Sequence, residues 1–299
     1  MLATPAAPPG AAELLSPETV SREWRAFWRN PLGLVGICLV LLLVLFSFVG
    51  PLVYRASPYT TNVTAIVAGP SAQFPLGTDS LGRDELARLM LGGQLSLEVG
   101  FAAALVAMAF GTFYGITSGM AGGYVDTLLM RIVDVIIALP SLFLLLLLNS
   151  IFRPSAVLLV FIIASTAWVG VARLVRAETL SLREREFVEA ASASGAGRPR
   201  LMLRHLLPNT MGIVLVAATF QVGDSILTVA TLSFLGLGLP PPTPNWGQML
   251  SDSLNYIFQG SWWLIYPPGL LIVMVELGVN FVGDALREAY DPRLQGRAA

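Results

Sequence analysis

The sequence predicts an all-α, polytopic membrane protein of six spans, and three observations predict it. Of the 299 residues, 55% are hydrophobic and 12% charged, about half the charged share of an ordinary water-soluble domain. The run 31–54 carries no charge and is long enough to cross roughly 30 Å of hydrocarbon as a helix. Five more apolar segments follow at 95–120, 128–150, 155–175, 210–235 and 262–282. These runs are continuously apolar rather than alternating, and a helix satisfies all of its own backbone polar groups in lipid, so helices and not barrel strands are expected.

The elements follow in chain order. Residues 1–30 begin rich in Ala and Pro and lack the basic start of a targeting sequence, so they read as a disordered tail rather than a signal peptide. The first helix occupies 31–54 and holds Cys38, the single cysteine, which forms neither an intrachain disulfide nor a multi-cysteine metal site. Residues 55–94 form the first outer loop, where Leu81, Leu86, Leu89 and Met90 suggest an interfacial amphipathic helix leading into the membrane.

A five-helix core spans 95–285, interrupted by an inner loop at 177–209. Ser181-Leu182-Arg183-Glu184 fits a capping box and predicts a helix start. Gly195 and Gly197 predict its end, because glycine takes the left-handed conformation without a Cβ penalty. Pro199 suits the start of a second short helix, which Pro208 is expected to end. In the outer segment 236–261, Pro240, Pro241, Pro242 and Pro244 stiffen the chain, and Trp246, Trp262 and Trp263 are expected as interfacial anchors. Pro267 and Pro268 predict a kink early in the sixth helix, and 286–299 form a second inner tail.

Arginine sets the orientation. All 18 basic residues are arginine, and short cytoplasmic segments are enriched in basic residues. With the N-terminus inside, fourteen arginines are cytoplasmic and Arg55, Arg83, Arg88 and Arg153 lie outside, so both termini are expected in the cytoplasm.

The same composition excludes several functions. Without lysine there is no Walker A loop and no Schiff-base chemistry, so any ATP is hydrolysed elsewhere. His205 is the single histidine, which removes histidine-rich metal sites. Asp224 and Ser225 are adjacent and point to different helix faces, against an intramembrane catalytic pair. No inverted repeat marks a stand-alone secondary transporter, which is the alternative of another class.

Four segments in order carry a resemblance. Glu189-Ala190-Ala191, then Gly195, then His205-Leu206-Leu207-Pro208 resembles the EAA signature of ABC-importer permeases, with Arg204, His205, Pro208 and Asn209 similar to the peptide-importer subgroup. Pro75-Leu76-Gly77-Thr78-Asp79 with Gly82-Arg83-Asp84, Leu232 to Gly238 continuing to Pro241, Trp246, Gly247 and Met249, and Gly283 to Arg287 with Asp291-Pro292-Arg293 resemble that subgroup too. They are similar to the second permease subunit of dipeptide, oligopeptide and nickel importers.

The resemblance implies the MetI-like importer fold in a cell inner membrane and a non-catalytic role. It implies that Glu189, Ala190, Ala191, Gly195, Arg200, Arg204, His205 and Pro208 form the element that seats in an ATPase. The expected partners are a homologous permease, forming a heterodimer, two ATPase subunits that use ATP and magnesium, an external substrate-binding protein and lipid, with no nucleic acid. This chain is expected to bind no cofactor or metal. Peptides are the expected solute, with nickel or glutathione as alternatives.

Intramembrane charges mark pathways or buried polar contacts, which singles out Asp224 with Gln221, and Glu276 with Asn280, as candidates for the translocation path. Glu98, Arg131 and Asp134 are read as lying near helix ends. Thr78, Asp79, Arg83 and Asp84 are expected to receive the binding protein on the outer face.

Overall fold

The computed structural model describes residues 25–290 except 26, 153 and 154. The N-terminal tail, Arg153 and the Asp291-Pro292-Arg293 motif lie outside the described residues. Helix α1 (Pro31–Val53) starts on an Asn30 cap that accepts from the amides of Leu32 and Gly33. Asp84 caps α2 (Glu85–Ala121). There follow α3 (Gly123–Ala138), α4 (Ser141–Ile151), α5 (Ala156–Arg183), α6 (Glu186–Ala193), α7 (Arg198–Phe234), α8 (Trp246–Ser253) and α9 (Trp262–Tyr290).

Glycines set how the spans pack. A Cβ on Gly36 would lie 2.6 Å from the Gly278 carbonyl oxygen, and one on Gly33 2.6 Å from Ala285, so α1 lies antiparallel against α9. Gly212, Gly283 and Gly223 meet Tyr290, Thr219 and Glu276, which sets α7 antiparallel to α9. The most extensive seam joins α2 and α5. Gly111 faces Trp168 and Val171, Gly115 faces Ala172 and Val175, and Gly119 faces Arg176 and Thr179. Numbers rise together on both helices, so the two run parallel. Small residues four apart let helix backbones touch where lipid offers no hydrophobic drive.

That parallel pair settles the third crossing. The segment between two parallel spans must return across the membrane, yet α3 and α4 are bent 86° from each other. One continuous helix over 128–150 is therefore corrected to a broken span. Leu139 is extended, with ψ 133°, the conformation favoured for the residue before a proline such as Pro140.

The prolines inside α7 and α9 end neither helix. Pro267 and Pro268 lie within α9. Pro208, expected to end a short helix, instead sits in the first turns of one that runs from 198 to 234. A π-helical turn at Met202–Leu206 precedes it, widening the helix where the proline ring would meet a carbonyl, and the Asn209 amide donates to the His205 carbonyl at 2.5 Å.

Two more expectations are corrected. Leu89 and Met90 are buried in α2, so no separate interfacial helix precedes that span, and Glu98 lies inside it rather than near its end. Trp246 is fully buried. Its indole N–H donates to the Leu89 carbonyl at 2.9 Å, and Gly93 makes room for its ring, so it is a core staple and not an interfacial anchor. Trp246→Ala should cost about 3–5 kcal/mol, whereas Trp262→Ala, half exposed, should stay within about 0.5 kcal/mol. Thermal unfolding of both variants in detergent checks this.

Candidate functional site

The loop at 177–209 is almost wholly helical. Helix α5 runs on to Arg183, so the helix start expected at Ser181 is displaced to Glu186, with Arg185 as its N-cap. Only Glu184 and Arg185 separate α5 from α6. The Arg185 amide donates to Leu182 and that of Val188 to Arg185, leaving no slack between the two helices.

Helix α6 ends in a full Schellman motif. Gly195 sits at φ +84°, its amide donates to the Ser192 carbonyl, and that of Ala196 to the Ala191 carbonyl at 3.1 Å. Both orphan carbonyls are thereby satisfied. The chain reverses and Pro199 enters the first turn of α7.

The element is seated from beneath. Val188, Leu201 and Leu206 are buried in one cluster with Ile116, Val175 and Leu182 from the C-terminal halves of α2 and α5. Above them Glu186, Glu189, Ala190, Gly195, Arg198, Arg200 and Arg204 are exposed, while His205 and Pro208 are half-buried. The result is a rigid knob, acidic on α6 and basic on the start of α7, standing on the bundle's arginine-rich end.

The loop between α1 and α2 is pinned from within. Thr78, Asp79, Arg83 and Asp84 are each less than 9% exposed, so their side chains point into the chain. Thr78 donates to the Ala65 carbonyl and accepts from Ala68. Asp79 accepts from the Arg83 guanidinium at 2.7 Å, and its Oδ2 pairs with Arg88 at 3.2 Å. Asp84 caps α2 and accepts from the Tyr54 hydroxyl at 2.5 Å. Burial, reinforced by the Asp84 carboxylate, holds the Tyr54 phenol above its ordinary range, so it stays a donor. Gly77 and Gly82 have φ +70° and +72°, and a Cβ on Gly82 would lie 2.0 Å from the Asn62 carbonyl oxygen. The two glycines fold the segment inward. Trp263, expected at the interface, donates to the Thr78 carbonyl.

The path candidates do not converge. The Asn280 amide donates to Glu276 Oε1 at 3.0 Å, and Gly223 makes room for Glu276 Oε2, which has no hydrogen-bond partner among the described residues. These two belong to the seam between α7 and α9. Gln221 Nε2 reaches the Ser225 hydroxyl at 3.4 Å, whereas Asp224 is exposed on α7.

Sequence reasoning passed over one polar cluster. Asp126 on α3 accepts two bonds of 2.6 Å from Arg176 on α5 and one from the Ser118 hydroxyl at 2.5 Å. Asp134 pairs with Arg173, and Arg183 donates to the Gly119 carbonyl at 3.0 Å. The signal was available, because Arg173 and Arg176 stand three apart on one helix face.

Residues 111–296 match the model of the binding-protein-dependent transport system inner membrane component, and residues 21–70 that of the N-terminal transmembrane domain of oligopeptide transport permease C. The chain is 38% identical over 295 residues to a dipeptide transport system permease protein of Alkalihalophilus pseudofirmus, covering 99% of this chain and 97% of that one. It is 37% identical to an oligopeptide transport system permease protein of Bacillus subtilis, covering 96% of each chain. With a di/tripeptide transport system permease protein of Pseudomonas aeruginosa it shares 36%, covering 98% of each.

Proposed function

The chain belongs to the family of binding-protein-dependent transport system inner membrane components, and within it we propose that it forms half of an inner-membrane import path for di- or oligopeptides. Relatives whose names specify dipeptide, oligopeptide and di/tripeptide transport match it along nearly its whole length. The observation that carries the coupling role is the knob at 186–208: capped, seated on a buried cluster and exposed on its outer rim. A rigid element of that kind passes on a displacement that a flexible loop would absorb.

The chain pairs with a second, homologous permease. Two ATPase subunits dock on the knob from the cytoplasm, where both termini lie, and hydrolyse ATP with magnesium. A substrate-binding protein delivers solute at the outer face, on the surface of the loop that Thr78, Asp79, Arg83 and Asp84 hold in shape from inside. Hydrolysis switches the assembly between inward-open and outward-open states. Asp224 faces the path, since an exposed carboxylate at membrane depth is costly against lipid.

A tagged chain purified from its own membranes should carry a second permease and ATPase subunits in fixed ratio. In proteoliposomes with its binding protein, that complex should accumulate a labelled di- or oligopeptide only when ATP is supplied. Purified chain that accumulates solute alone, or a complex that moves nickel or glutathione but no peptide, overturns the corresponding half of the reading.

A further inference from the structure

The third span is held by polar ties as well as by packing, Val133 in one buried cluster and Leu145 in another. Val133, Leu145 and Asn149 are buried along α3 and α4, but Leu128, Val135, Phe143, Leu147 and Ile151 are more than half exposed. At its inner arm, Asp126 meets Arg176 in a two-pronged ion pair and Asp134 meets Arg173. Both arginines stand on α5, the helix that runs into α6 with two residues between. At the outer arm the Asn149 side chain donates to the Leu237 carbonyl, in the outer segment after α7.

We infer that Asp126 and Arg176 are positioning residues that lock the inner arm of the third span to α5. Displacement of the coupling knob thereby moves that span and, through Asn149, the outer segment at Leu237. This deepens the coupling role proposed above and rests on it. A forked arginine–carboxylate pair fixes orientation as well as distance. Partly buried, it resists salt screening better than an exposed pair would. The bend at Leu139–Pro140 divides the span into an arm that follows α5 and an arm that answers to the outer segment.

The test uses the whole complex with its binding protein, reading solute uptake and stimulated ATP hydrolysis side by side. Asp126→Asn should lower uptake per ATP at least tenfold, with copurification of the ATPases unchanged and stimulated hydrolysis within twofold of the parent. The exchange Asp126→Arg with Arg176→Asp should restore uptake per ATP to within threefold, while either half alone should not. Unchanged uptake per ATP in Asp126→Asn overturns the inference. So does a parallel fall in hydrolysis, failure of the exchange to rescue, or failure of both variants to accumulate in the membrane, any of which makes the pair a simple structural tie. A parental complex that lacks ATPases or moves no peptide would instead sink the proposed function.

Discussion

Gly195→Val leaves membrane insertion and the six spans intact and abolishes ATP-driven uptake. Gly195 holds φ +84°, and nothing lies within 4 Å of the place its Cβ would occupy, so no clash drives the effect. The cost is in the backbone. A β-branched residue is a marked outlier at positive φ, and the left-handed conformation costs even an ordinary side chain roughly 1–2 kcal/mol. The chain escapes by leaving that conformation, which breaks the bonds from Gly195 to Ser192 and from Ala196 to Ala191. Helix α6 then frays at its end, and the angle between α6 and the start of α7 is lost. Uptake should fall by at least a hundredfold while the protein still elutes as a folded complex in detergent. Gly195→Asn separates the two explanations, since asparagine tolerates this region and should keep a substantial part of the activity. Parental uptake in the valine variant would show that the Gly195 turn is no part of the coupling device.

Why that turn was legible from sequence while its neighbours were not is a matter of range. Gly195 follows a helical Glu-Ala-Ala stretch, and a helix stop of this kind is set by local backbone preference. The spans were legible for the same reason, since lipid makes each apolar run answerable to itself. Proline shows where that stops. Pro140 breaks its helix because Leu139 is free to extend. Pro208 does not, because a π-helical turn and the Asn209 amide absorb it, and neither is visible as a pattern of residues. Asp79 and Arg83 read as an exposed polar loop, yet Gly77 and Gly82 turn them inward, where Asp79 pairs with both Arg83 and Arg88. Trp246 and Trp262 are alike in sequence, and only the second is exposed, because Gly93 on a distant helix admits the first. Asp126 and Arg176, fifty residues apart, meet because α2 and α5 run parallel and the chain must return between them.

Gly115→Leu should be the most damaging single change in the membrane domain. A Cβ there would stand 2.6 Å from the Ala172 carbonyl oxygen, 2.9 Å from Val175 Cβ and 3.0 Å from the Arg176 amide nitrogen. Two of the three obstacles are backbone, which no side-chain rotation clears, so the whole of α5 must move off α2. Movement there opens Gly111 and Gly119 on either side and exposes Ala172 and Val175, both now fully buried. It also pulls Arg176 away from Asp126, leaving a carboxylate with half its partners. Even Gly115→Ala should cost about 1–3 kcal/mol from overpacking, and leucine should exceed that and prevent accumulation of folded protein. Gly170 supplies the control. It lies on α5, the other helix of this seam, at ordinary φ with nothing within 4 Å of its Cβ position, so Gly170→Ala should be neutral, or stabilising by up to about 1 kcal/mol from helix propensity. Detergent-solubilised yield and thermal unfolding of the three variants measure this. A leucine variant at Gly115 with the parental melting temperature would mean that α2 and α5 do not touch along this seam. The parallel pair, the returning third span and the arginine ties built on it would then fall together.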